Sequence, residues 1–127
     1  MKPIQVGLLG IGTVGAGVFT VLERNQDEIQ RLGAAGTGIC HCPTSNMMLA
    51  SGIAPVRELE VAGCPVGLGV DGSASNDGSN MIQEVRQALY LQRLKYGAQV
   101  SHFDAYRWAT EGSAKMLGRS DIGSLVV

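Results

Sequence analysis

Residues 4–15 read Ile-Gln-Val-Gly-Leu-Leu-Gly-Ile-Gly-Thr-Val-Gly. A short apolar run, Ile4 to Leu9, meets glycines at Gly10 and Gly12, the pattern of a buried parallel strand. From Thr13 to about Leu32 apolar residues recur at helical spacing (Val14, Val18, Val21, Leu22, Ile29, Leu32), and Glu23, Arg24, Asp27, Glu28 and Arg31 fall on the other face. That is an amphipathic helix, ended by Gly33 and Gly36. A strand that turns through glycines into a helix is the opening of an α/β fold.

The same alternation continues. Thr37–His41 reads as a second strand stopped by Pro43, Thr44–Gly52 as a loop, and Ile53–Ala62 as a helix with Pro55 in its first turn. Gly63 closes that helix, and Pro65–Val70 forms a third strand. Asp71–Ser79 is a polar Gly/Ser loop. Asn80 is placed as the N-cap of a helix running to Tyr96, with Gln83 at the capping-box position and Gly97 after its end. Ser101 with Asp104 caps a last helix to about Leu117. Residues Asp121 to Val127 form an apolar tail that adds a short strand or frays.

The order βαβαβαα predicts one α/β domain over 1–127, with a three-stranded parallel sheet in spatial order 1-2-3 and right-handed crossovers. Both crossover helices then lie on one sheet face. The other needs a cover, from the last helix or from a second copy of the chain. A homo-oligomer, a dimer, is the expectation, because a bare apolar sheet is an aggregation hazard.

Composition narrows the partners. With 45% hydrophobic and 5% aromatic residues, the core is built from aliphatic side chains. A net charge of -1 gives no strong pull toward nucleic acid or an anionic membrane. No run reaches the roughly 18 apolar residues of a membrane span. The N-terminus lacks a signal-peptide pattern, and three cysteines without framework spacing suit a reducing, cytoplasmic setting.

Gly10-Ile11-Gly12-Thr13-Val14-Gly15 matches G-x-G-x-x-G between a strand and a helix. Gly10 permits the turn, Gly12 lets a phosphate approach the backbone, and Gly15 lets helix and strand pack closely. The helix start around Thr13 and Val14 offers unpaired N–H groups to an anion. This loop is the expected site for a small anion or, weakly, for NAD(P). The ribose-binding acid that a dinucleotide site places about 20 residues on is missing, because the second strand ends Cys40-His41-Cys42-Pro43.

Residues 1–30, MKPIQVGLLGIGTVGAGVFTVLERNQDEIQ, resemble the start of bacterial homoserine dehydrogenases, which implies a Rossmann βα unit. From about residue 32 the chain resembles the C-terminal part of amidohydrolase-superfamily deaminases, the 8-oxoguanine deaminase group and its triazine-hydrolase relatives. The segments GTGICHCPTSNMMLASGIAPV, PVGLGVDGSASNDGSN and FDAYRWATEGSAKMLGRSDIG carry this resemblance. It implies a TIM-barrel fragment containing the seventh and eighth strands. Asp71 then matches the family's last-strand aspartate, which binds the metal and takes a proton from the attacking water. His41 and Asn46 fall in the motif lining the substrate pocket.

A catalytic zinc takes three protein ligands. The family's His-x-His pair has no counterpart here, and only His41 and His102 are present. His102 is read as an exposed residue at a helix start. Cys40 and Cys42 share one strand face, with His41 on the other, and are read with Cys64 as buried structural thiols. Asp71 and Asp77 also have a local use, satisfying backbone groups of their loop. Tyr106 and Trp108 are read as packing residues, and Met47-Met48-Leu49 as a partly exposed apolar plug.

These readings lead to one expectation, an engineered or recombined chimeric scaffold joined near Arg31. It has no catalytic turnover, no bound metal and Asp71, His41 and Asn46 as relics of a deaminase site. The alternatives are an NAD(P)-binding oxidoreductase fragment and a metal-dependent amidohydrolase fragment.

Overall fold

The computed structural model describes residues 26–125. The first predicted strand, the Gly10–Gly15 motif and the start of the first predicted helix lie outside them. Helix α1 (Gln26–Ala34) carries Asp27 and Glu28 in its first turn and Arg31 in its last, each charge suited to the helix dipole. It runs past Gly33 rather than ending there. Gly33 is where α3 (Val56–Ala62) presses on α1, and a Cβ there would lie 1.8 Å from the Ala62 carbonyl oxygen.

Strands β1 (Ile39–His41) and β2 (Val66–Leu68) pair in parallel, with Ile39 opposite Val66, Cys40 opposite Gly67 and His41 opposite Leu68. They are the second and third predicted strands, each shorter than expected. Of the expected three-stranded sheet in order 1-2-3, the described residues contain the two-stranded parallel part, β1-β2; the first predicted strand lies outside them.

The predicted loop after β1 is instead helix α2 (Pro43–Met48). Pro43 stops a strand, but it also fits the first turn of a helix, where its missing N–H costs nothing. Helix α3 starts later than predicted, with Pro55 as its N-cap residue, and ends at Gly63, whose φ of 99° makes a left-handed cap.

Helix α4 (Met81–Tyr96) begins where the sequence places it. The Asn80 side chain accepts from the Ile82 and Gln83 N–H groups, and Gly97 follows the last turn. Ser101 and Asp104 form the reciprocal capping box of α5 (His102–Arg107). The single last helix is broken into α5, a π turn (Trp108–Gly112) and α6 (Ser113–Met116). Residues 121–125 join no strand.

This last stretch covers the sheet. Glycines line the covered face: a Cβ on Gly38 would lie 2.8 Å from the Met116 carbonyl oxygen, and one on Gly67 would lie 2.8 Å from Ser113 Cα. The Ser113 hydroxyl accepts from the Leu68 N–H at 3.2 Å and donates to the Trp108 carbonyl at 3.0 Å. Ile39, Val66 and Leu68 alternate onto the other face and belong to the core cluster that also holds Val56, Leu59, Ala88, Val100 and Trp108. Trp108 is buried and its Nε1 donates to Glu60 at 2.8 Å. Tyr106 departs from its packing role and is 60% exposed, since residues two apart on a helix do not share a face.

A Cβ on Gly112 would lie 2.1 Å from the Val66 carbonyl oxygen, which is backbone and cannot swing aside. Gly112→Ala is expected to destabilise the fold by about 1–3 kcal/mol, seen as a lower urea midpoint with an unchanged slope.

Candidate functional site

Asp71 stands three residues beyond the end of β2, with a φ of 65°. The left-handed region is uncommon for a residue with a Cβ, though Asp tolerates it better than most. Such conformations persist where surroundings fix them, and they cluster at functional positions. Here the surroundings are hydrogen bonds. Ser45 Oγ donates to Asp71 Oδ2 at 2.6 Å, Gly72 N to Oδ1 at 2.8 Å and Ser75 Oγ to Oδ2 at 3.3 Å. The Ser45 hydroxyl, with help from Gly72 and Ser75, holds the Asp71 carboxyl below the usual carboxylate range. The group is an exposed, ionised acceptor at the C-terminal edge of the sheet, the edge at which parallel α/β sheets bind ligands.

A second carboxylate fixes the loops. Glu84 on α4 is fully buried; its Oε2 accepts from Thr44 N at 3.1 Å and its Oε1 from Asn76 Nδ2 at 2.8 Å. Asn76 Nδ2 also donates to the Val70 carbonyl at 2.8 Å. Helix α2, the 71–80 loop and α4 are thereby locked together. The sequence reading missed Ser45, Ser75, Asn76 and Glu84. The signal available was the repeated Ser-Asn pair, Ser45-Asn46 and Ser75-Asn76, two polar steps just after two strands.

Asn46 is buried, and neither its amide nitrogen nor its oxygen has a partner among the described residues. His41 is also buried, and strand alternation puts it on the Ile39 face. It is Ser45 that reaches Asp71; neither the His41 nor the Asn46 side chain hydrogen-bonds to it. Both His41 ring nitrogens lack a partner there, and burial lowers its pKa to about 4. His102 is exposed at the start of α5, as expected.

All three cysteines are free and buried, in keeping with the sequence reading. Cys40 Sγ and Cys42 Sγ lie 3.9 Å apart. The hydrogen bond between them lowers the Cys40 pKa and raises that of Cys42. Met47, Met48 and Leu49 at the end of α2 are partly exposed, as the sequence suggested.

A cavity of about 450 Å³ opens at the opposite end of β2, beside Cys64, Pro65 and Trp108. Its Arg107 pairs with Glu60 at 3.1 Å, and its Arg57 with Asp104 at 3.4 Å.

The comparisons agree on the ancestry of this arrangement. The model of the amidohydrolase family matches residues 5–127. The chain belongs to the amidohydrolase family. It is 72% identical over 102 residues to the 8-oxoguanine deaminase of Pseudomonas aeruginosa, covering 80% of this chain and 23% of that protein. It is 45% identical over 119 residues to a 5-methylthioadenosine/S-adenosylhomocysteine deaminase of Pelotomaculum thermopropionicum, covering 87% and 28%. Among solved structures, an adenosine deaminase from Xanthomonas campestris with bound zinc superposes at a TM-score of 0.71 and 37% identity, covering 80% of this chain and 24% of that one. The chain thus spans about a quarter of the length of these relatives.

Two expectations are corrected. The family match runs across position 31, so the chimeric or engineered scaffold is overturned, and nothing shows a homoserine dehydrogenase segment. The expectation of a protein that is no enzyme is also overturned, since the relatives are named as deaminases. No helix among the described residues is long and apolar enough to cross a membrane.

A catalytic zinc takes three protein ligands, and no three His, Cys, Asp or Glu side chains converge among the described residues. Asp71 offers one carboxylate, and the described residues alone do not fit the set.

Two predictions follow from the hydrogen bonds made and missed. Ser45→Ala removes the shortest bond to Asp71 and is expected to raise its pKa toward 3.8, read by carboxyl-carbon NMR titration. His41 binds a proton more readily unfolded, near 6.5, than folded, near 4. Its neutral form therefore stabilises the fold fully above pH 6.5, and that contribution is lost as pH falls toward 4. His41→Leu, which leaves no unpaired ring nitrogens, is expected to keep neutral-pH stability and to flatten the fall in melting temperature over that window.

Proposed function

We propose that this chain is the Asp71-bearing segment of a deaminase that removes an amino group from a purine-like ring, with 8-oxoguanine as the favoured substrate. The observation carrying this reading is the built environment of Asp71, a left-handed residue at a strand's C-terminal edge with its carboxylate fixed by Ser45, Gly72 and Ser75. The 72% identity to the Pseudomonas enzyme supports the substrate. Hydrolytic deamination needs an ionised group to accept a proton from water and return it to the departing amine. Asp71 is ionised and aimed outward for that work. Ser45 and Ser75 orient its oxygens, and Glu84 and Asn76 hold the loop that presents it. Asn46, buried with both amide atoms unsatisfied, is a candidate to hydrogen-bond the ring edge.

Exposed apolar side chains such as Val61, Leu94 and Phe103 support a larger assembly in which further parts of the family fold cover them.

The test is a graft. Residues 26–125 replace the aligned stretch of the Pseudomonas enzyme, and ammonia release from 8-oxoguanine is measured. The graft is expected to retain activity, and Asp71→Asn within it to lose at least about 100-fold in kcat. A folded graft that ignores 8-oxoguanine but deaminates S-adenosylhomocysteine would move the substrate to the second relative. Full activity in the Asp71→Asn graft would overturn the assignment of Asp71.

A further inference from the structure

We propose that Cys40 and Cys42 form a two-thiolate site for a thiophilic divalent cation of the zinc–cadmium type, with both sulfurs seated against the bare backbone of Gly69. The two sulfurs lie 3.9 Å apart at the end of β1. With metal–sulfur bonds of about 2.3 Å, that spacing sets an S–metal–S angle of about 116°, close to tetrahedral. No strand movement is needed.

Gly69, just past the end of β2, supplies the room. A Cβ on residue 69 would lie 2.6 Å from Cys40 Sγ and 3.3 Å from Cys42 Sγ. A methyl at that point would push the sulfurs out of place, so the bare glycine is what lets the two thiols sit at bridging distance.

Charge favours a divalent ion. Both thiols are buried, and burying net charge is costly. Two thiolates with one divalent cation carry none. The negative charge of Asp71 acts on both sulfurs, and the same field attracts a cation. Thiolates select soft ions over magnesium or calcium. On binding, two S–H bonds break, two metal–sulfur bonds form and two protons pass to water, with no oxidant required. His41, on the opposite strand face, takes no part, so water completes the coordination. This site is separate from the deaminase reading and does not depend on it.

The test titrates the full, phosphine-reduced chain with cadmium chloride and follows the ultraviolet sulfur-to-cadmium charge-transfer band. The band is expected to saturate at one cadmium per chain and to fall to background in Cys40→Ser and in Cys42→Ser. It is expected to persist in Cys64→Ser, and to be lost in Gly69→Ala, which keeps both thiols but displaces their sulfurs. Circular dichroism identifies variants that remain folded. Should one serine variant unfold, the other and the wild-type titration still decide. No band in the folded wild type at excess cadmium, a band that needs urea, or a full band in either folded serine variant would overturn the site.

Discussion

The fully buried carboxylate of Glu84 ties together three parts of this protein, the start of α2, the loop after β2 and α4. One oxygen takes the Thr44 N–H at the start of α2, and the other takes Asn76 in the loop after β2, while the residue belongs to α4. Hydrogen bonds to a carboxylate are stronger than neutral ones, and leaving buried donors unpaired costs about 1–3 kcal/mol each. Glu84 thereby fixes how the two strand-end loops face each other. The spacing of Ser45 from Asp71, and so the state of the Asp71 carboxylate, follows from that.

The sheet imposes a second constraint through what it lacks. Gly38 and Gly67 present bare backbone to Ser113 and Met116. Side chains there would hold the last helical stretch off the strands. The opposite face carries Ile39, Val66 and Leu68 into the apolar core. One thin sheet therefore has a packed side chain layer on one side and a backbone-tight layer on the other.

Local signals were legible in the sequence, and distant ones were not. Asn80, Gly97 and the Ser101–Asp104 pair marked helix ends correctly, because capping is settled within a few residues. Alternation along β1 placed Cys40 and Cys42 together before any distance was known. Helix α2 was hidden because Pro43 both stops a strand and starts a helix. The π turn left no mark in the sequence; its end residues Trp108 and Gly112 meet Glu60 and Val66, partners far away along the chain. Asp71 was visible as a candidate by resemblance, but its partners were not. A glutamate near the start of a helix reads as solvent-facing, and only the fold reveals that position 84 points inward. The glycine motif at Gly10–Gly15 lies outside the described residues, and its strand–helix reading rests on the sequence alone.

The Ser113 hydroxyl has an effect that reaches past its own contacts. The Gly69 N–H points to β1, so the neighbouring Leu68 N–H points to the far edge of β2, where Ser113 claims it. An incoming extended segment would find the central donor of that edge already taken. A single serine on a distant helix thus blunts the sheet as a template for fibril growth, and restricts strand addition to partners able to displace the whole terminal helix.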